Sequence, residues 1–97
     1  MPSTEESLDR TLHAIADPTR RRILQALKLV DAYAASSCLC AGDIEARVQL
    51  SQPTISHHMA ILTRAGLVEA TKKGQWRWYR RNEKAIRGVV KALRGKL

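Results

Sequence analysis

Apolar residues recur along this chain with two periods, and the change of period divides it. Leu8, Leu12, Ile15 and Ala16 fall at helical spacing and predict a first helix over residues 5–16. Asp17-Pro18 reads as a fresh helix start, an aspartate cap followed by a proline whose missing N–H costs nothing in a first turn. Ile23, Leu24, Leu27 and Val30 mark the inner face of this second helix, and nothing breaks it before Ser36-Ser37. A short third helix is expected over 41–48, with Ile44 and Val48 inward and Gln49-Leu50 as the following turn. Ser51 caps a fourth helix that tolerates Pro53 in its first turn and ends at Gly66. The period then drops to two: residues 67–72 and 75–81 read as strands around a Lys73-Gly74 hairpin. Asn82 caps a last helix over 83–95, with Ile86, Val89, Val90 and Leu93 on one face.

The predicted order is therefore α-α-α-α-β-β-α, mainly α with a small β-hairpin. The third and fourth helices form a helix-turn-helix, and the hairpin after it is a wing. Residues 1–97 are expected to be a single winged helix-turn-helix domain. A chain of 97 residues builds one modest core and is too small to bury the apolar stripes of both end helices, so those helices are expected to make a homodimer. No run approaches the roughly 18 apolar residues of a membrane span. The opening MPSTEESLDR is polar and acidic, unlike a secretory leader, and a cytoplasmic location without a membrane partner is expected.

The fourth helix has an unusual outer face. In LSQPTISHHMAIL, a helical wheel gathers Ile55, Met59 and Leu62 on the core side and leaves His58 at the core edge. Pro53, His57, Ala60 and Arg64 fall opposite, flanked by Thr54 and Ser56, with Gln52 in the exposed first turn. Short hydrogen-bonding side chains without a single carboxylate suit a helix that enters a DNA major groove. Gln52 can pair with adenine, and Thr54, Ser56 and His57 can reach bases or phosphates. Ser51 is read as a cap, and His58 as a satisfied, half-buried histidine. The two histidines point about 100° apart and cannot easily share an ion.

Charge points the same way. Residues 1–46 carry five Lys/Arg against seven Asp/Glu, whereas residues 47–97 carry twelve against two. A half-domain this basic is relieved by a polyanion. Lys72, Lys73 and Arg77 sit near the wing tip, placed for phosphates or the minor groove. Trp76 and Trp78 share one strand face and Tyr79 takes the other; core packing at the base of the wing is expected of these aromatics. No Gly-rich phosphate loop follows a strand and no carboxylates are paired, so neither catalytic residues nor a required cofactor are expected.

Two stretches, AIADPTRRRILQAL and CLCAGDIEARVQLSQPTISHHMAILTRAGLVEATKKGQWRWYR, resemble the ArsR/SmtB family of winged-helix repressors over residues of about 12–81. The resemblance implies a homodimeric repressor on a palindromic double-stranded DNA operator, released when an inducer binds. One family sensor site uses carboxylates and histidines on the last helix; this chain has no histidine after His58. Another uses an LCVCD-like run, here Leu39-Cys40-Ala41-Gly42-Asp43. Cys40 matches the first family cysteine, Gly42 replaces the second, Glu45 stands where a third can occur, and Cys38 lies two residues earlier. Soft thiolates select soft ions, so Cys38 and Cys40 are expected to take trivalent arsenic or antimony. His13, from the first helix of a second copy, would complete a site for zinc, cadmium or lead instead. A redox-responsive or non-sensing regulator, and a winged-helix protein-interaction module, remain the alternatives.

Overall fold

A computed structural model describes residues 4–33 and 39–97. Five helices and three short strands follow one another: α1 (Thr4–Ile15), α2 (Pro18–Tyr33), β1 (Leu39–Cys40), α3 (Ala41–Val48), α4 (Gln52–Arg64), β2 (Val68–Lys73), β3 (Trp76–Arg81) and α5 (Glu83–Lys96). The expected helix and hairpin order holds. The addition is β1, which pairs antiparallel with β3 through Leu39–Tyr79 and Cys40–Trp78 and makes a three-stranded sheet of order β1-β3-β2. Two residues are too few to show a strand period in sequence. Residues 34–38, including the expected helix end at Ser36-Ser37 and the candidate ligand Cys38, lie outside the described residues.

The core gathers where the helical stripes meet. Ile23, Leu24 and Leu27 of α2, Ile44 and Val48 of α3, and Ile55, Met59 and Leu62 of α4 are buried together with Leu67, Val68 and Tyr79. Each such side chain contributes roughly 1.5–3 kcal/mol by leaving water. On α1 the inward face is Leu8, Thr11 and Ala14, while Leu12 and Ile15 are only half-buried. On α5 no residue is buried, and Val90 stands 55% exposed. The stripe of α1 is thus buried or half-buried within the single chain, whereas that of α5 is covered only in part: Ile86, Val89 and Leu93 are half-buried and Val90 is exposed.

Turns and caps follow local chemistry. Asp17 Oδ1 accepts from the backbone N–H groups of Thr19 (2.7 Å) and Arg20 (3.2 Å), the expected cap of α2. Asn82 Oδ1 accepts from Ala85 N at 3.0 Å and starts α5. Gly66, at φ +79°, ends α4: its N–H donates to Thr63 O, and Leu67 N–H donates to Leu62 O. This pair of bonds needs a left-handed residue after the helix, which glycine adopts without strain. Gln49 takes the same left-handed region between α3 and α4, at φ +58°, without glycine's freedom.

Candidate nucleic-acid interface

Helix α4 is held by its inner face alone. Ile55, Met59 and Leu62 are at most 1% exposed, while Gln52, Pro53, Thr54, Ser56, His57, Ala60 and Arg64 are all exposed. Ser51 occupies the cap position with an extended backbone, but its hydroxyl bonds Thr54 Oγ1 at 2.9 Å instead of a backbone N–H. The first-turn N–H groups of α4 are therefore not satisfied by the Ser51 side chain, and they stand at the end of the helix that reaches bases and phosphates in this motif.

The wing lies beside this face. A groove of about 270 Å³ runs between α4 and the hairpin, lined by Ser56, Ala60, Arg64, Ala70, Arg77 and Tyr79 among others. Three residues singled out from sequence, Ser56, Arg64 and Arg77, thus share one concave surface. Lys72 and Arg77 are register partners across β2 and β3, and both are exposed. Like charges placed directly opposite repel, and a phosphate between them would remove that repulsion. By contrast, Glu69 and Arg80 pair across the same ladder at 2.9 Å. Lys73 is also exposed and sits opposite Trp76.

The aromatics correct one expectation. Trp76 is 59% exposed instead of packed at the base of the wing, and Trp78 is half-buried; Tyr79 alone joins the core, at 5% exposure. Strand alternation explains this: Tyr79 and its partner Ala70 line the groove toward α4, so the tryptophans stand on the other face.

What sequence reasoning missed is the anchoring of the reading helix. Arg20 is only 6% exposed. Its Nε donates to Ala14 O at 2.6 Å and one terminal nitrogen donates to His13 O at 3.1 Å, so it closes the C-terminal end of α1. The other terminal nitrogen lies 3.2 Å from Nδ1 of His58, on α4. One guanidinium therefore joins α1, α2 and α4. His58 is the satisfied, half-buried histidine expected. Desolvation holds its pKa below the usual histidine value, aided by the charges of Arg20 and His57 and opposed by Asp17. Arg21 donates to Ile15 O at 2.7 Å and Arg22 to Val48 O at 2.9 Å. The run Thr19-Arg20-Arg21-Arg22 reads as plain positive charge in sequence, yet all three arginines close helix ends. Arg81 similarly links the base of the wing to Leu24 O and to Glu83.

Cys40 is the N-cap of α3, where Asp43 Oδ2 accepts from its thiol at 3.1 Å and from its backbone N–H at 3.4 Å. His13 is exposed on α1. Among the described residues, no group of three or more His, Cys, Asp or Glu side chains is placed to hold a metal ion. No helix among them is long and apolar enough to cross a membrane.

A buried helix-turn-helix presenting a carboxylate-free helix beside a basic two-stranded wing defines a winged-helix DNA-binding protein. A helix-turn-helix domain family model matches residues 15–71. The chain is 38% identical over 83 residues to the transcriptional repressor SdpR of Bacillus subtilis, covering 86% of this chain and 84% of that one. It is 33% identical over 88 residues to the arsenical resistance operon repressor of Staphylococcus aureus, covering 91% and 78%. Its fold matches the homodimeric winged helix-turn-helix DNA-binding domain of Mb0332 from Mycobacterium bovis with a TM-score of 0.70 at 24% identity, covering 91% of this chain and 76% of that one. The chain belongs to the ArsR/SmtB family of winged-helix transcriptional repressors. It is a DNA-binding repressor and not an enzyme.

Proposed function

We propose that this repressor is a homodimer that reads a palindromic operator with α4 and leaves it when a thiophilic inducer binds near the start of α3. The observation that carries the reading is the exposed, carboxylate-free outer face of α4. In this reading Gln52, Ser56 and His57 meet base edges, and Pro53 and Thr54 sit against the groove wall. Arg64, Lys72, Lys73 and Arg77 meet phosphates. A dimer is supported by the partly covered apolar face of α5, where Val90 is exposed, and by a groove of about 560 Å³ between α1 and α5, lined by Leu8, Thr11, Val89 and Ala92 among others. Paired reading helices would then address half-sites about one helical turn apart.

Cys40 is the one cysteine within the described residues. With Cys38 it would supply two thiolates, enough for a monosubstituted trivalent arsenical or antimonial; zinc, cadmium or lead would want further donors such as His13 of a second copy. The kinship with an arsenical resistance repressor agrees with this, while Gly42, where the family run has its second cysteine, makes the donor set this chain's own. To lower operator affinity a hundredfold, the inducer must favour the free form by about 2.7 kcal/mol.

The test is a fluorescence-anisotropy titration with duplex DNA from upstream of the protein's own gene. Alanine at Gln52, Ser56 or His57 should relax specificity, at about 1–3 kcal/mol each. Alanine at Lys72, Lys73 or Arg77 should weaken all sequences alike. Identical behaviour of the two groups overturns the docking. Trivalent arsenicals should release the native complex but not that of Cys38→Ser or Cys40→Ser; an indifferent native complex overturns the inducer assignment.

A further inference from the structure

We propose that Arg22, Gln25 and Arg47 form a pocket for a DNA backbone phosphate, outside the reading helix and the wing. The proposal rests on the DNA-binding reading and extends it to a second face. The three side chains, with Ala26 and Val48, line a concavity of about 360 Å³ between α2 and α3. Arg22 is fixed there by donating to Val48 O at 2.9 Å, which leaves part of its fork free. Arg47, in the last turn of α3, is exposed and has neither a hydrogen bond nor an ion pair among the described residues. Two guanidinium groups sharing one concavity repel each other and offer the planar donor arrays that suit phosphate oxygens. Gln25, one turn after Arg22 on α2 and exposed, adds an amide donor.

Among the described residues no carboxylate lines the pocket. Of the two on α3, Asp43 accepts from Cys40, and Glu45 lies two residues from Arg47, on the opposite side of the helix. The position is apt as well. Val48 is followed by the Gln49–Ser51 turn and then by Gln52, so the pocket sits at the end of α4 that enters the groove. In helix-turn-helix proteins the helix before the reading helix crosses the sugar–phosphate backbone. A phosphate here would fix how deeply α4 sits, in the way backbone contacts set register without reading sequence.

The experiment titrates a fluorescein-labelled mixed-sequence duplex with the full chain over a range of salt concentrations. Arg47→Gln touches no intramolecular partner, and Gln25→Glu leaves both arginines in place while setting a negative charge against the phosphate. Each should weaken binding several-fold. The double variant Arg22→Gln/Arg47→Gln should flatten the slope of log affinity against log salt by about one unit, since both arginines serve one phosphate. Lys28→Gln, which removes a charge from α2 outside the pocket, should keep the native slope. If native protein binds and the pocket variants match Lys28→Gln, this inference falls alone. If native protein shows no salt-dependent binding, the DNA reading falls with it.

Discussion

Arg20 joins three helices, and its loss should be felt well beyond its own position. In Arg20→Ala, the carbonyls of Ala14 and His13 lose donors at 2.6 and 3.1 Å, and His58 Nδ1 loses its partner at 3.2 Å. A hydrogen bond to a charged group contributes about 1.5–3 kcal/mol net, and an orphaned buried acceptor costs about 1–3 kcal/mol. The end of α1 lies near the surface, with His13 exposed and Ile15 half-buried, so water recovers part of this loss. The expected destabilisation is about 2–4 kcal/mol, from a total of about 5–15 kcal/mol for a domain. In a domain of this size that lowers Tm by roughly 10–25 °C. Arg20→Lys keeps the charge but not the planar fork and should recover only about half of the loss. Urea unfolding followed by circular dichroism, at one fixed protein concentration, measures the change as a shift of midpoint at constant slope. An NMR titration of His58 adds an independent reading. Arg20 is among the groups that hold its pKa down, so that pKa should rise in Arg20→Ala. A lysine variant as stable as the native protein, or an alanine variant that loses less than about 1 kcal/mol, would refute the three-helix anchor.

Three further outcomes follow from the same geometry. Burial first, then Arg20 and His57, depress the His58 pKa below 6.5, so stability should be full above that pH and fall as the pH drops toward the folded-state value; Asp17, also depressed despite an opposing desolvation because backbone N–H groups and Arg20 favour its carboxylate, adds a second loss below 3.8. Stability measured against pH for His58→Gln should show the first decline flattened, and an unchanged curve rules out His58 as its source. Gln49→Gly should stabilise by about 0.5–1 kcal/mol, because it relieves a left-handed backbone at φ +58° in the turn before α4; a lower unfolding midpoint speaks against strain there. Val90→Glu should yield a monomer in light scattering while leaving the circular dichroism spectrum intact, since Val90 is 55% exposed in the single chain; an intact dimer excludes this face of α5 from the interface.

Much of this molecule was legible along the chain. Helix stripes at Ile23, Ile44, Ile55 and Met59 pointed inward because one side of a helix must leave water. Asp17-Pro18, Gly66 and Asn82 ended and began helices through bonds made within a few residues. The outer face of α4 followed from the same periodicity, since whatever the stripe excludes must face out. These features are local, and local chemistry is written in neighbouring residues. Tertiary structure alone decided the rest. Arg20 became a buried link to His58, 38 residues away, and Arg22 met Val48 across 26, because packing brought distant helix ends within reach of long side chains. Two residues before α3 became a strand only because β3 offered them an open edge. Trp76 stayed in solvent while Tyr79 joined the core, since the side of the wing that faces α4 is chosen by how the hairpin docks, and alternation by itself cannot choose it.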